Sequence, residues 1–212
     1  MQLSRPGADV QWTVNSGQRD VSVIPAFEFP YNRRFTVSKK TLLMSLAAVL
    51  VAALAIVSAR AADETMPAAG QAAPAFILPS QDGTPISLSQ YKGKWVVLYF
   101  YPRDMTPGCT IEAHKFQDSL SQFEAKNAVI LGVSVDSSDS HKQFCAKDGL
   151  TFHLLSDTSH SVVSAYGSLG SFGNVVIANR NTFLIDPQGN IKQVWVKVNP
   201  ADSASEVLAA IP

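Results

Sequence analysis

KWVVLYFY, residues 94–101, decides the fold. It is a continuous apolar run, rich in β-branched and aromatic residues and stopped by Pro102, and so has the composition of a strand buried on both faces. Such a strand belongs in the middle of a sheet. Downstream, Ala113, Phe116, Leu120 and Phe123 recur at helical spacing with Glu112, Lys115, Asp118 and Gln122 between them, which predicts an amphipathic helix over 107–126. AVILGVSV, residues 128–135, is a second buried strand.

The polar turn Asp136-Ser137-Ser138-Asp139 offers N-cap residues for another helix, which Gly149 should stop, and Cys145 falls in its last turns. Residues 182–185 and 191–198 read as a hairpin joined by Asp186-Pro187-Gln188-Gly189-Asn190. A short helix over about 202–210 closes the chain. Strand, helix, strand, helix, hairpin and helix in that order describe an α/β domain with a mixed central sheet flanked by helices, the thioredoxin-like arrangement.

The chain has 212 residues, 46% of them hydrophobic, enough for one ordinary domain and an appendage. Its net charge of zero hides an asymmetry: residues 1–61 carry seven Lys or Arg and three Asp or Glu, the remainder ten and fourteen. No basic stripe marks the acidic part, which argues against a nucleic-acid partner. The 18 residues TLLMSLAAVLVAALAIVS (41–58) follow Arg33, Arg34, Lys39 and Lys40 and precede Ala59-Arg60-Ala61. That is the layout of an export signal cleaved after Ala61, or of an uncleaved membrane anchor at the lower edge of spanning length. Export to the periplasm, or anchoring facing it, is the expected location. ADETMPAAGQAAPA (62–75) reads as a flexible linker, with the folded domain occupying 70–212.

Two cysteines are too few for a disulfide scaffold, so Cys109 and Cys145 are either inert or a redox pair. If Thr106 is an N-cap and Pro107 the first helical residue, Cys109 lies in a first turn, where free N–H groups and the positive dipole end favour a thiolate. A helix terminus supplies only about 0.3–1 kcal/mol, whereas one pKa unit takes about 1.36 kcal/mol. A cation is needed as well. Arg180, immediately before the strand that starts the hairpin, is the candidate, and its guanidinium also suits an oxygen on which negative charge develops.

Pro102-x3-Thr106-x2-Cys109 resembles the peroxiredoxin active-site signature. Thr106-Pro-Gly-Cys-Thr with Glu112 downstream is similar to the bacterioferritin-comigratory, or peroxiredoxin Q, branch. Gly70-x2-Ala73-Pro74-x-Phe76 and Arg180-x-Thr182-Phe183-Leu184-Ile185-Asp186 extend the resemblance along the domain. It implies a peroxidatic Cys109 that becomes a sulfenic acid, a Thr106 hydroxyl turned toward the peroxide, shielding by Pro102, activation by Arg180, no cofactor, and a monomer recycled by a thioredoxin-type reductant.

Many members of that branch carry a resolving cysteine five residues after the first, where this chain has His114. Cys145 resembles instead the resolving cysteine of a smaller subgroup, and the resemblance implies an intramolecular disulfide with Cys109 that requires local unfolding. An external thiol acting on a one-cysteine enzyme is the alternative. His141 and Cys145, four apart on one helix, are only two of the four ligands a structural metal site takes, and the histidines read as solvated. An exported thiol–disulfide oxidoreductase is the rival enzyme, but its second cysteine would stand at Glu112. A non-catalytic binding module would have no use for Pro102, Thr106, Cys109 and Arg180 together.

Overall fold

Trp95–Phe100 (β3) is the middle strand of a five-stranded sheet in the computed structural model, which describes residues 66–212. It runs parallel to Ala128–Ser134 (β4) and antiparallel to Asn181–Ile185 (β8). His153–Ser156 (β5) extends the sheet beyond β4, and Ile191–Val196 (β9) beyond β8. The sheet is therefore mixed, with a thioredoxin-like layout. Two small antiparallel hairpins form separate sheets, Ile77–Pro79 (β1) with Pro85–Ser87 (β2), and Leu169–Phe172 (β6) with Val175–Ala178 (β7).

Alternation along β3 divides the interior into two layers. Val97, Tyr99 and the following Tyr101 point into a core closed by helices Pro107–Asp118 (α1), Leu120–Ala125 (α2), Ser138–Asp148 (α3) and Ser203–Ala210 (α5). Val96, Leu98 and Phe100 point into the other, closed by the first hairpin and by Ser161–Ala165 (α4). Tyr99 stacks on Phe116 with ring centroids 4.6 Å apart, a contact adding about 0.5–1.5 kcal/mol beyond burial. Both cysteines lie in the first layer.

The helix expected over 107–126 is two helices. Ser119, a weak helix former, takes φ −95° and ψ 1°, ends α1 and begins α2. Residues 66–75, expected as flexible linker, are held on the domain. Gly70 N–H donates to the Ile191 carbonyl at 2.7 Å, Ala73 N–H to the Gly189 carbonyl at 3.0 Å, and Met66 packs on the second core layer. Backbone pairing with the Asp186 to Ile191 turn needs no side-chain periodicity, which is why composition alone missed it. Residues 62–65, the apolar stretch 41–58 and the basic segment before it lie outside the described residues. Among the described residues no helix is long and apolar enough to cross a membrane.

Candidate active site

Thr106, φ −83° and ψ 150°, is the N-cap of α1, Pro107 opens the helix, and Cys109 lies in its first turn with 1% of its surface exposed. The Thr106 hydroxyl does not cap. It donates to the Arg103 carbonyl at 3.0 Å, while the Thr106 carbonyl accepts from Thr110 N–H at 2.9 Å. Met105, before it, stands in the left-handed region at φ +56°. Pro102, half-buried, and Thr106 therefore belong to a tight loop between β3 and α1.

Arg180 is the residue just before β8, the antiparallel neighbour of β3. Asn181 anchors the start of β8, donating to Ser168 Oγ at 3.0 Å and accepting from Lys197 N–H at 3.1 Å. With Thr182 opposite Tyr99, Arg180 reaches the end of β3 from which Cys109 departs. Its Nη2 donates to Cys109 Sγ at 3.4 Å and its Nη1 to Glu112 Oε2. Gly108 makes room for this, since a Cβ there would stand 3.3 Å from Nη2 and 3.6 Å from Pro200 Cγ. One guanidinium thus binds a sulfur and a carboxylate together, a task suited to its rigid planar fork of donors.

Glu112 is fully buried, its Oε1 without a hydrogen-bond partner. Burial pushes its carboxyl up to about 7, against the charge and hydrogen bond of Arg180. Burial by itself would lower Arg180, but the Glu112 and Cys109 charges outweigh it and hold the guanidinium above its ordinary value. Between the ordinary carboxyl value of 4.5 and about 7, the folded protein binds more protons at Glu112 than the unfolded chain does. Stability from this group therefore falls as pH rises through that interval. Urea unfolding at pH 5 and pH 7.5 should show the wild type losing stability relative to Glu112→Gln across that range.

Cys145 lies on the inner face of α3, 9% exposed, and both thiols are free. Burial, with the Asp104 charge adding, pushes the Cys145 thiol up to about 11. The histidine four residues earlier is not solvated. His141 is completely buried, its Nδ1 2.8 Å from Asp104 Oδ2, while the Tyr101 hydroxyl donates to Asp104 Oδ1 at 2.7 Å. Burial would raise the Asp104 carboxyl, but the hydrogen bond and charge of His141, with Ser140 and Tyr101, hold it below its ordinary value. His114, at the commoner resolving position, is exposed and pairs with Asp148 at 3.1 Å.

The structure therefore brings Cys109, Arg180 and Thr106 around one helix start, and places Cys145 on a separate helix of the same layer. Sequence reasoning left the role of Glu112 open and passed over Asp104 and Tyr101. The position of Glu112 one turn after Cys109, on the face of Ala113 and Phe116, was a signal that it points inward.

A family model described as the AhpC/TSA family matches residues 69–194. Peroxiredoxin Bcp of Bacillus subtilis is 44% identical over 146 residues, 67% of this chain and 93% of that protein. Peroxidoxin BcpB of Mycobacterium tuberculosis superposes with a TM-score of 0.65 at 32% identity, covering 68% of this chain and 96% of that one. Peroxiredoxin Q of Xanthomonas campestris does so at 0.63 and 40%, with the same coverage. Matched over most of its described length, the chain belongs to the AhpC/TSA family, alongside its Bcp and peroxiredoxin Q members.

Proposed function

We propose that this peroxiredoxin, a thiol-dependent peroxidase, reduces hydrogen peroxide and organic hydroperoxides through Cys109 and is reset by Cys145. The observation that carries the reading is the Arg180 guanidinium, which donates to the Cys109 sulfur at a helix start while Glu112 holds its other arm. The Cys109 thiolate attacks one peroxide oxygen and the O–O bond breaks. Sulfur becomes a sulfenic acid and the other oxygen leaves as water or alcohol after protonation. Arg180 N–H groups suit the charge growing on that leaving oxygen. The Thr106 hydroxyl spends its hydrogen on Arg103 and keeps lone pairs to accept the peroxide O–H, while Pro102 limits access of water to the sulfur.

Resetting proceeds through Cys145. Its thiol gives up a proton, its sulfur attacks the Cys109 sulfenic sulfur, the S–O bond breaks, and the proton and hydroxide leave as water. Two solved variants of the Xanthomonas campestris peroxiredoxin Q each replace one cysteine by serine, and those cysteines are as far apart in sequence as Cys109 and Cys145. The bacterioferritin comigratory protein of the same organism has alkyl peroxide reduction activity, which supports the wider substrate class. A disulfide needs Cα atoms within about 7 Å, and burial, pushing the Cys145 thiol up to about 11, disfavours its nucleophilic thiolate form where it stands. One or both helices rearrange for the bond to close.

A thioredoxin-type dithiol then reduces the disulfide by exchange. With the apolar stretch 41–58 acting as an export signal or anchor, that donor works outside the cytosol. The enzyme acts as a monomer. One equivalent of peroxide on the full chain, followed by non-reducing peptide mapping, tests the mechanism. A linked Cys109 and Cys145 peptide pair is expected. Sulfenic acid on Cys109 with Cys145 still free, the outcome the burial of Cys145 would favour, makes it a one-cysteine enzyme using an external thiol.

A further inference from the structure

The cluster of Tyr101, Asp104 and His141 plays no part in the peroxide chemistry, yet all three residues are buried. His141 and the Asp104 side chain are sealed from solvent, with hydrogen bonds of 2.7 and 2.8 Å to the Asp104 carboxylate. Tyr101 Oη also lies 3.3 Å from His141 Nδ1. Asp104 is fixed a second time, through its backbone N–H to Asp136 Oδ2 at 2.9 Å, an oxygen that also accepts from Ser134 Oγ at 2.8 Å. Both Asp104 carboxylate oxygens are paired while His141 Nε2 is buried without a partner, and breaking either bond leaves further buried polar groups unpaired at a cost.

The location gives it meaning. Asp104 belongs to the loop that carries Pro102 and Thr106 into Cys109, and His141 belongs to α3, one turn before Cys145. No other buried charge-assisted contact among the described residues joins the loop to that helix; the pair of His114 and Asp148 at its far end is exposed on one side. Moving Cys145 toward Cys109 pulls His141 away from Asp104 if α3 yields, or strains the loop if it does not.

We infer that Tyr101, Asp104 and His141 form a latch that keeps the Cys145 helix on the peroxidatic loop in the reduced enzyme, and that its release sets how readily the Cys109 sulfenic acid is resolved. The inference rests on Cys145 being the resolving thiol. A tighter latch leaves the sulfenic acid waiting longer, and a waiting sulfenic acid meets a second peroxide and becomes sulfinic. The three residues are positioning residues that act through α3, without touching the peroxide.

Substitutions at 141 separate this role from plain packing. Asparagine places its Nδ2 where the imidazole Nδ1 stands and still donates to Asp104, whereas leucine fills the space and donates nothing. In His141→Leu, the equilibrium with a dithiol buffer is expected to move about tenfold toward the disulfide, a potential about 30 mV more negative. The fraction of Cys109 found as sulfinic acid by mass spectrometry, after a fixed excess of peroxide, is expected to drop several-fold. His141→Asn should stay within about twofold of wild type in both readings. Tyr101→Phe, which deletes a single hydroxyl and keeps the ring, should move both in the direction of the leucine variant by a smaller factor, and it decides the matter if His141→Leu does not fold. The latch is overturned if Tyr101→Phe and a folded His141→Leu both match wild type, or if His141→Asn shifts as far as His141→Leu. If wild type forms no bond between Cys109 and Cys145, the resolution reading falls and takes the latch with it. If the bond forms and the variants are silent, only the latch falls.

Discussion

Cys109→Ser is expected to reduce peroxide consumption to the uncatalysed background, a loss on the order of 10³-fold or more, as when a catalytic nucleophile is removed outright. A serine hydroxyl at the same helix start does not ionise near neutrality, and an oxygen nucleophile does not yield a sulfenic acid. The substitution replaces one buried atom by a smaller one, so the fold should persist and circular dichroism should be unchanged. Peroxide consumption with a dithiol donor measures the loss, and an insulin-reduction assay run beside it addresses the oxidoreductase rival. Wild type should consume peroxide and leave insulin intact, since the fourth position of the sequence starting at Cys109 is Glu112. Retained peroxidase activity in the serine variant would remove Cys109 from the mechanism altogether.

Arg180→Met has two separable effects, because the guanidinium serves two acceptors. Loss of a charged donor at the reacting sulfur is expected to lower kcat/KM by about 10²–10³-fold, the range found when one donor to a developing charge is removed. Loss of the partner of a buried carboxylate is expected to destabilise the fold by about 3–5 kcal/mol, moderated above the usual carboxyl range because Glu112 takes up a proton near 7. Combining Arg180→Met with Glu112→Gln removes the orphaned charge. Stability, read from the urea midpoint, should largely recover in the double variant while kcat/KM stays low. Recovery of both together would mean that Arg180 acts only as a structural partner of Glu112. Arg180→Lys should fall between, since an ammonium keeps the charge but lacks the planar fork that places Nη1 on Glu112 Oε2 and Nη2 on Cys109 Sγ.

The central layer of the fold was legible because its signals are local. A run such as 94–101 has no stable place except the middle of a sheet, and Gly149 ends α3 in the left-handed conformation that its position suggested, φ +66°. The turn of Asp186 to Asn190 closed as expected, with Asp186 Oδ1 accepting from Asn190 N–H at 2.8 Å. Between Gly149 and Arg180 the sequence offered little: β5, α4 and the β6 and β7 hairpin are short, and pairing with β4 rather than periodicity creates β5. The helix start at Cys109 could be read from Thr106 and Pro107, and Arg180 from its place before a strand. What could not be read was distance in space. Glu112 looked like any polar residue of an amphipathic helix until Arg180 arrived beside it, and His141 looked solvated until Asp104 was seen to face it.

The pairing of Thr182 with Tyr99, together with the bond from Asn181 to Ser168, fixes the place of Arg180. Side chains alternate along a strand, so one residue gained or lost between Arg180 and Thr182 would turn the guanidinium to the opposite layer. The hairpin of β6 and β7, by contrast, closes on itself before Arg180 and makes only its own two-stranded ladder. Its length and its exposed Phe172, Val175 and Val176 can drift without carrying the cation away from sulfur. Descendants of this chain are therefore free to experiment with the outline of one flank while inheriting the same reactive centre.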